Sequence, residues 1–72
     1  MKKNTARSLV AHHVRRLRLE AGLSQEELAT KCGLHRTYVS HVERERSSIT
    51  IDTLEHFAEV LGVAPKDLLE PI

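Results

Sequence analysis

Apolar positions along this chain recur at helical spacings. Val10, Val14, Leu17 and Ala21 follow one another at intervals of four, three and four, which lines one face of an amphipathic helix. Asn4 or Thr5 can cap its start and Gly22 its end. In Ser24-Gln25-Glu26-Glu27 the Ser24 hydroxyl can accept from the Glu27 amide while the Glu27 carboxylate reaches back to the Ser24 amide. A second helix therefore starts at Ser24, runs through Leu28, Ala29 and Cys32, and stops at Gly33. A third begins near His35, carries Val39 and Val42 on its inner face, and ends around Arg44 to Arg46. After the polar connection Ser47, Ser48 and Thr50, a fourth stripe runs through Ile51, Leu54, Ala58 and Leu61, with Thr50 as cap and Gly62 as stop. Pro65 suits the first turn of a short fifth helix through Leu68 and Leu69, because the amide hydrogen it lacks has no intrahelical partner there. The pattern predicts an all-α, compact five-helix domain spanning residues 1–72, without strands.

Composition narrows the chemistry. A chain of 72 residues has room for one small core and none for a separate sensing or catalytic domain. With 40% hydrophobic and 29% charged residues it has the balance of a folded soluble domain. The single cysteine, Cys32, excludes an intramolecular disulfide framework and a cysteine-based zinc site, and reads as a small buried apolar residue. His12 and His13 are adjacent, so on a helix they point in different directions and make a poor metal pair. No nucleophile, base and orienting group stand in a recognisable arrangement, so no enzyme, cofactor, metal or small-molecule ligand is expected. There is neither an apolar run of membrane-spanning length nor an apolar signal core, which implies a cytoplasmic protein and no membrane partner. The net charge of +1 hides a division: residues 1–46 carry +5 and residues 47–72 carry −4. Such asymmetry fits a chain whose first part meets a polyanion while its second part faces away.

Residues 25–44 hold the densest signal. Ala29 falls where two helices of a helix-turn-helix would cross, and Gly33 falls at the turn, where positive φ is cheap only for glycine. Leu28, Cys32, Leu34, Val39 and Val42 fall on the faces that pack together. Seven matched positions across 20 residues set the helix-turn-helix register. With Val39 and Val42 facing inward, the outward stripe of the third helix is Arg36, Thr37, Ser40, His41 and Arg44, all able to hydrogen-bond. Tyr38 suits either the edge of the core or a phosphate contact through its hydroxyl.

The segments Val14-Arg15-Arg16-Leu17-Arg18, Gly22-Leu23-Ser24-Gln25-Glu26-Glu27-Leu28-Ala29, Gly33-Leu34, Val42-Glu43-Arg44 and Leu61-Gly62-Val63 resemble the Cro and lambda-repressor-like, or XRE, helix-turn-helix regulators of bacteria and phages. Within that family, Leu34-His35-Arg36-Thr37-Tyr38-Val39-Ser40 looks most like the controller proteins of restriction-modification systems. The resemblance implies a lambda-repressor-like fold and a sequence-specific regulator whose partner is double-stranded DNA, with the third helix in the major groove. Arg36, Thr37, Ser40 and His41 would then read bases, Arg36 by a bidentate pair with guanine. Gln25, by the same resemblance, grips a backbone phosphate beside the free amides of its helix. Ser24 and Arg44 join it as backbone contacts, with Arg46, Ser47, Ser48 and the Arg15-Arg16 pair as weaker ones. The family pattern also pairs Arg18 with Glu43 as a structural ion pair.

Two departures and one extension follow. Where the family has glycine after the Val-Glu-Arg step, this chain has Glu45, so either the third helix runs on or Glu45 takes a left-handed conformation at a cost of order 1 kcal/mol. Ser47-Ser48 replaces the family's Arg-Asn, which weakens the transfer of contacts after the third helix. One reading helix contacts few bases, so a homodimer on a two-fold-related operator is expected, with Phe57, Leu68, Leu69 and Ile72 as the region of its interface. Two other functions would use the same scaffold: an antitoxin-type DNA-binding protein that also binds a toxin, and a protein-interaction adaptor that binds no DNA.

Overall fold

The computed structural model describes residues 5–72. It contains α1 (Ala6–Glu20), α2 (Gln25–Cys32), α3 (Arg36–Glu43) and α4 (Ile51–Leu61), followed by a 3-10 helix, Pro65–Leu69. There is no strand among the described residues. The fifth element thus corrects the expectation of five helices, since it is a single tight turn rather than an α-helix. Pro65 opens it, the Asp67 carboxylate accepts from the Ala64 amide at 2.9 Å, and Pro71 follows within two residues of its end, leaving too few amides for an α-helical ladder.

Local chemistry sets the boundaries. The Thr5 side chain accepts from the Ser8 amide at the start of α1, whereas Asn4, the other candidate cap, lies outside the described residues. Ser24 and Glu27 form the predicted reciprocal box, with Glu27 N donating to Ser24 Oγ at 3.0 Å and Ser24 N donating to Glu27 Oε1 at 2.7 Å. Thr50 caps α4 through the Thr53 amide. The cap of α3 has no counterpart in the sequence reading: His35 Nδ1 accepts from the Thr37 amide at 3.1 Å, in the place usually taken by an oxygen.

The turn between α2 and α3 closes as the sequence requires. Gly33 has φ +70°, the Leu34 amide donates to the Ala29 carbonyl at 2.8 Å and the Gly33 amide to Thr30 at 3.2 Å. A Cβ on Gly33 would meet open space, so its constraint is the left-handed backbone rather than crowding. The end of α3 makes the same pair of bonds, Arg46 N to His41 O at 2.7 Å and Glu45 N to Val42 O at 3.1 Å, with Glu45 in the left-handed position at φ +61°. Of the two alternatives at Glu45, the chain takes the strained one.

The core gathers Val10 and Val14 from α1, Leu28, Ala29 and Cys32 from α2, Val39 and Val42 from α3, Phe57 and Ala58 from α4, and Leu68. Cys32 lies among them with its thiol pushed up by burial, so it is a packing residue here. Two corrections concern the second half of the chain. The inward face of α4 runs through Leu54, Phe57, Ala58 and Leu61, while Ile51, expected inside, is 76% exposed. Phe57 and Leu68, expected at a dimer interface, are completely enclosed by this chain's own core, so neither can touch a partner. The apolar surplus of this half is instead Ile51, Leu69 and Ile72, all exposed.

Candidate nucleic-acid interface

α3 lies across α2 and α1, which bury Val39 and Val42 completely or nearly so. That burial fixes the rotation of the helix about its axis, so the opposite face must look outward. Arg36 and Thr37 are exposed at its first turn, Ser40 and His41 are half-buried one turn on, and Arg44 and Arg46 are exposed at its end. Arg36 is a planar five-donor fork, Thr37 and Ser40 carry hydroxyls, and His41 has two ring nitrogens, so the face can both donate and accept. An all-polar stripe of this kind on a helix seated by buried valines suits the edges of bases in a groove.

Beside this face stands the start of α2. The Ser24 hydroxyl oxygen accepts from the Glu27 amide and the Ser24 amide donates to the Glu27 carboxylate, so Ser24 is engaged with Glu27 through both groups. Glu27 is held below the usual glutamate range, mainly by the hydrogen bond from the Ser24 amide and next by that involving the Ser24 hydroxyl. Gln25 is half-buried at the first position of the helix, where the amides of the first turn have no intrahelical acceptor.

The scaffold beneath is a buried polar cluster. Arg18 Nε donates to Glu43 Oε2 at 2.6 Å and Arg18 Nη2 to Glu43 Oε1 at 2.9 Å, while Arg18 Nη1 donates to the Leu23 carbonyl at 2.9 Å. The two side chains are 8% and 1% exposed. Gln25 Nε2 joins the cluster by donating to Glu43 Oε1 at 3.0 Å. The end of α1, the start of α2 and the end of α3 thus meet at one carboxylate.

Other residues singled out in the sequence resolve differently. Tyr38 is half-buried, its hydroxyl donates to the Ser48 carbonyl at 3.1 Å, and burial pushes its phenol up. It ties the loop after α3 back to the third helix at Ser48. Arg15 and Arg16 are both exposed, and Arg16 is turned toward Glu20 and His13, at 3.1 and 3.2 Å. His13 is buried and donates through Nε2 to the Glu70 carbonyl at 2.9 Å, so Nδ1 is the acceptor for Arg16 and the ring ties α1 to the chain's last turn. No group of three metal-ligating side chains occurs among the described residues, and none of their helices is long and apolar enough to cross a membrane.

Sequence reasoning missed the Gln25 to Glu43 contact and the Tyr38 tether. Their partners lie 18 and 10 residues apart, beyond any helical spacing, so only the fold brings them together.

Comparison with known proteins agrees with this geometry. A family model described as helix-turn-helix matches residues 14–68. The control protein C.BamHI of Bacillus amyloliquefaciens is 46% identical over 68 residues, covering 93% of this chain and 84% of that protein. The crystal structure of the hypothetical transcription factor NHTF from Neisseria superposes with a TM-score of 0.92 at 46% identity, over 99% of this chain and 82% of the other. The restriction-modification controller protein C.AhdI from Aeromonas hydrophila superposes with a TM-score of 0.80 at 37% identity, over 83% and 91%.

Proposed function

The chain belongs to the helix-turn-helix family, and on that premise we propose that it is a sequence-specific DNA-binding regulator acting as a homodimer on a two-fold-related operator. DNA binding and control of transcription follow from the family and from relatives of the controller type. The finer reading rests chiefly on one observation, the polar outward face of α3 formed by Arg36, Thr37, Ser40 and His41 above buried Val39 and Val42. In this reading α3 enters the major groove and these four side chains read base edges. Gln25, Ser24, Arg44, Arg46 and Ser47 hold the flanking phosphates and so set the register.

Dimer formation is supported by the apolar surface that folding leaves behind. A groove of about 380 Å³ is lined mostly by apolar side chains, among them Val10, Ile49, Ile51, Leu54 and Leu69, with Arg7, Ser47, Ser48 and Thr50 also in its wall. Ile51 and Leu69 are exposed beside it. A second copy seated here would cover them and repeat the reading helix on the next major groove, about 34 Å away. Selection of bound fragments from a random DNA pool, followed by sedimentation of the protein on the selected duplex, tests the whole reading. A two-fold-related motif bound by two copies is the expected result; a motif without symmetry bound by one copy would overturn it.

A further inference from the structure

We propose that Glu43 is a positioning residue for DNA binding, acting through Gln25: its buried carboxylate fixes the place of the Gln25 amide nitrogen, whose second hydrogen is left for a phosphate. The proposal rests on the DNA-binding reading above and assigns Glu43 a role beyond its ion pair with Arg18.

An ionised carboxylate only accepts hydrogen bonds, whereas a glutamine amide has a donating nitrogen and an accepting oxygen. Glu43 Oε1 takes a hydrogen bond from Gln25 Nε2 at 3.0 Å, so the nitrogen, not the oxygen, must be the atom turned toward it. That nitrogen carries two hydrogens, of which the carboxylate uses one. The second remains for a neighbouring acceptor, and phosphate oxygens are acceptors alone. If the amide rotated by half a turn, its oxygen would confront Glu43 and be repelled. Glu43 therefore holds the amide in one orientation, and so fixes where the second hydrogen of Nε2 stands.

The carboxylate can impose this because it is itself immobilised. Arg18 binds both of its oxygens, at 2.6 and 2.9 Å, and is anchored in turn on the Leu23 carbonyl at 2.9 Å. The guanidinium also offsets the negative charge that would otherwise stand close to phosphate. Glu43 is the last residue of α3 and Gln25 the first of α2, so one carboxylate refers the reading helix and the phosphate grip to the same frame. A phosphate contact set in this way fixes where Arg36 and its neighbours meet the bases.

A double-mutant cycle tests the coupling, with Gln25→Ala, Glu43→Gln and the double variant measured on the selected operator and on an unrelated duplex, each checked for folding by thermal melting. Gln25→Ala should weaken binding to both duplexes by about tenfold, the effect of losing a hydrogen bond to a charged group. Glu43→Gln presents an amide that can face Gln25 either way round, and it should weaken both by several-fold in the wild-type background. In the Gln25→Ala background it should add less than about twofold, because the residue it acts through is gone. Equal losses in both backgrounds would overturn the proposal and leave Glu43 a purely structural group. An independent readout needs no variant: in the free wild-type protein one Gln25 carboxamide proton should be shifted downfield and protected from exchange. A Gln25 carboxamide that behaves like a free glutamine would overturn the proposal even if Glu43→Gln fails to fold. Wild-type protein that binds no duplex at all would instead remove the DNA-binding reading on which the proposal stands.

Discussion

Arg18 and Glu43, 25 residues apart in the chain, meet 2.6 Å apart in an almost fully buried pair that joins the first helix to the third. Both oxygens of the carboxylate and all three guanidinium nitrogens are engaged. Removing one partner therefore strands a charge that water cannot reach. Glu43→Ala should destabilise the domain by roughly 3 to 5 kcal/mol, a large fraction of the whole for a chain of this size. Thermal melting checks this, and a wild-type midpoint would show that the pair does not hold the helices.

Arg36 should behave in the opposite way. It is exposed and makes no contact that the fold needs, so Arg36→Ala should leave the melting temperature unchanged. On the cognate site it should cost roughly 1 to 3 kcal/mol and relax selectivity at one base position in each half-site. Repeating the fragment selection with the variant checks this; an unchanged motif would contradict the placement of α3 in the groove.

Glu45 gives a prediction of increased stability. It occupies, at φ +61°, the same closing position that Gly33 fills at the end of α2. Glu45→Gly should relieve strain of about 1 kcal/mol, offset in part by the greater freedom of glycine in the unfolded chain. A rise of a few degrees in the melting temperature is expected. A fall would mean that the Glu45 side chain contributes more than its backbone costs.

Ile51 tests the proposed assembly. It stands at the first position of α4, is 76% exposed and contributes little to the monomer's core. Ile51→Asp should leave the helical circular dichroism intact while weakening self-association and DNA binding together. If sedimentation shows the same dimer for the variant, the interface lies elsewhere on the chain.

Two capping carboxylates predict a loss of stability in acid. Glu27 and Asp67 are both held below their usual carboxylate range, chiefly by hydrogen bonds from the Ser24 and Ala64 amides. Folding therefore favours the ionised forms. Their contribution is complete above the unfolded-state values and is lost as pH falls through the lower folded-state values. Melting temperatures recorded from about pH 7 to about pH 3 should fall on the acid side. Glu27→Gln should flatten that fall, and an unaltered slope would show that the capping box carries none of it.

What the sequence determined by itself was most of what near neighbours govern, the His35 cap and the 3-10 form of Pro65–Leu69 being the exceptions. The stripe Val10, Val14 and Leu17 repeats within a few residues, the box at Ser24 and Glu27 closes over three, and Gly33 is needed for the angle of its own backbone, so α1, α2 and the turn to α3 were legible from local rules. The outward face of α3 was legible for the same reason, because Val39 and Val42 decide its opposite side. The tertiary structure decided what depends on distant partners. Ile51 has the spacing of a core residue and lies outside, because it begins α4 beyond the reach of the packed layer; Phe57 and Leu68 lie inside, because α1, α4 and the 3-10 helix pack against one another. Hydrophobic spacing establishes that a residue shares a face with its neighbours, but how far along that face the core extends is set by the elements that pack against it. The same holds for polar groups: Gln25 can donate and Glu43 can accept in any fold, and only the crossing of α2 and α3 makes them partners.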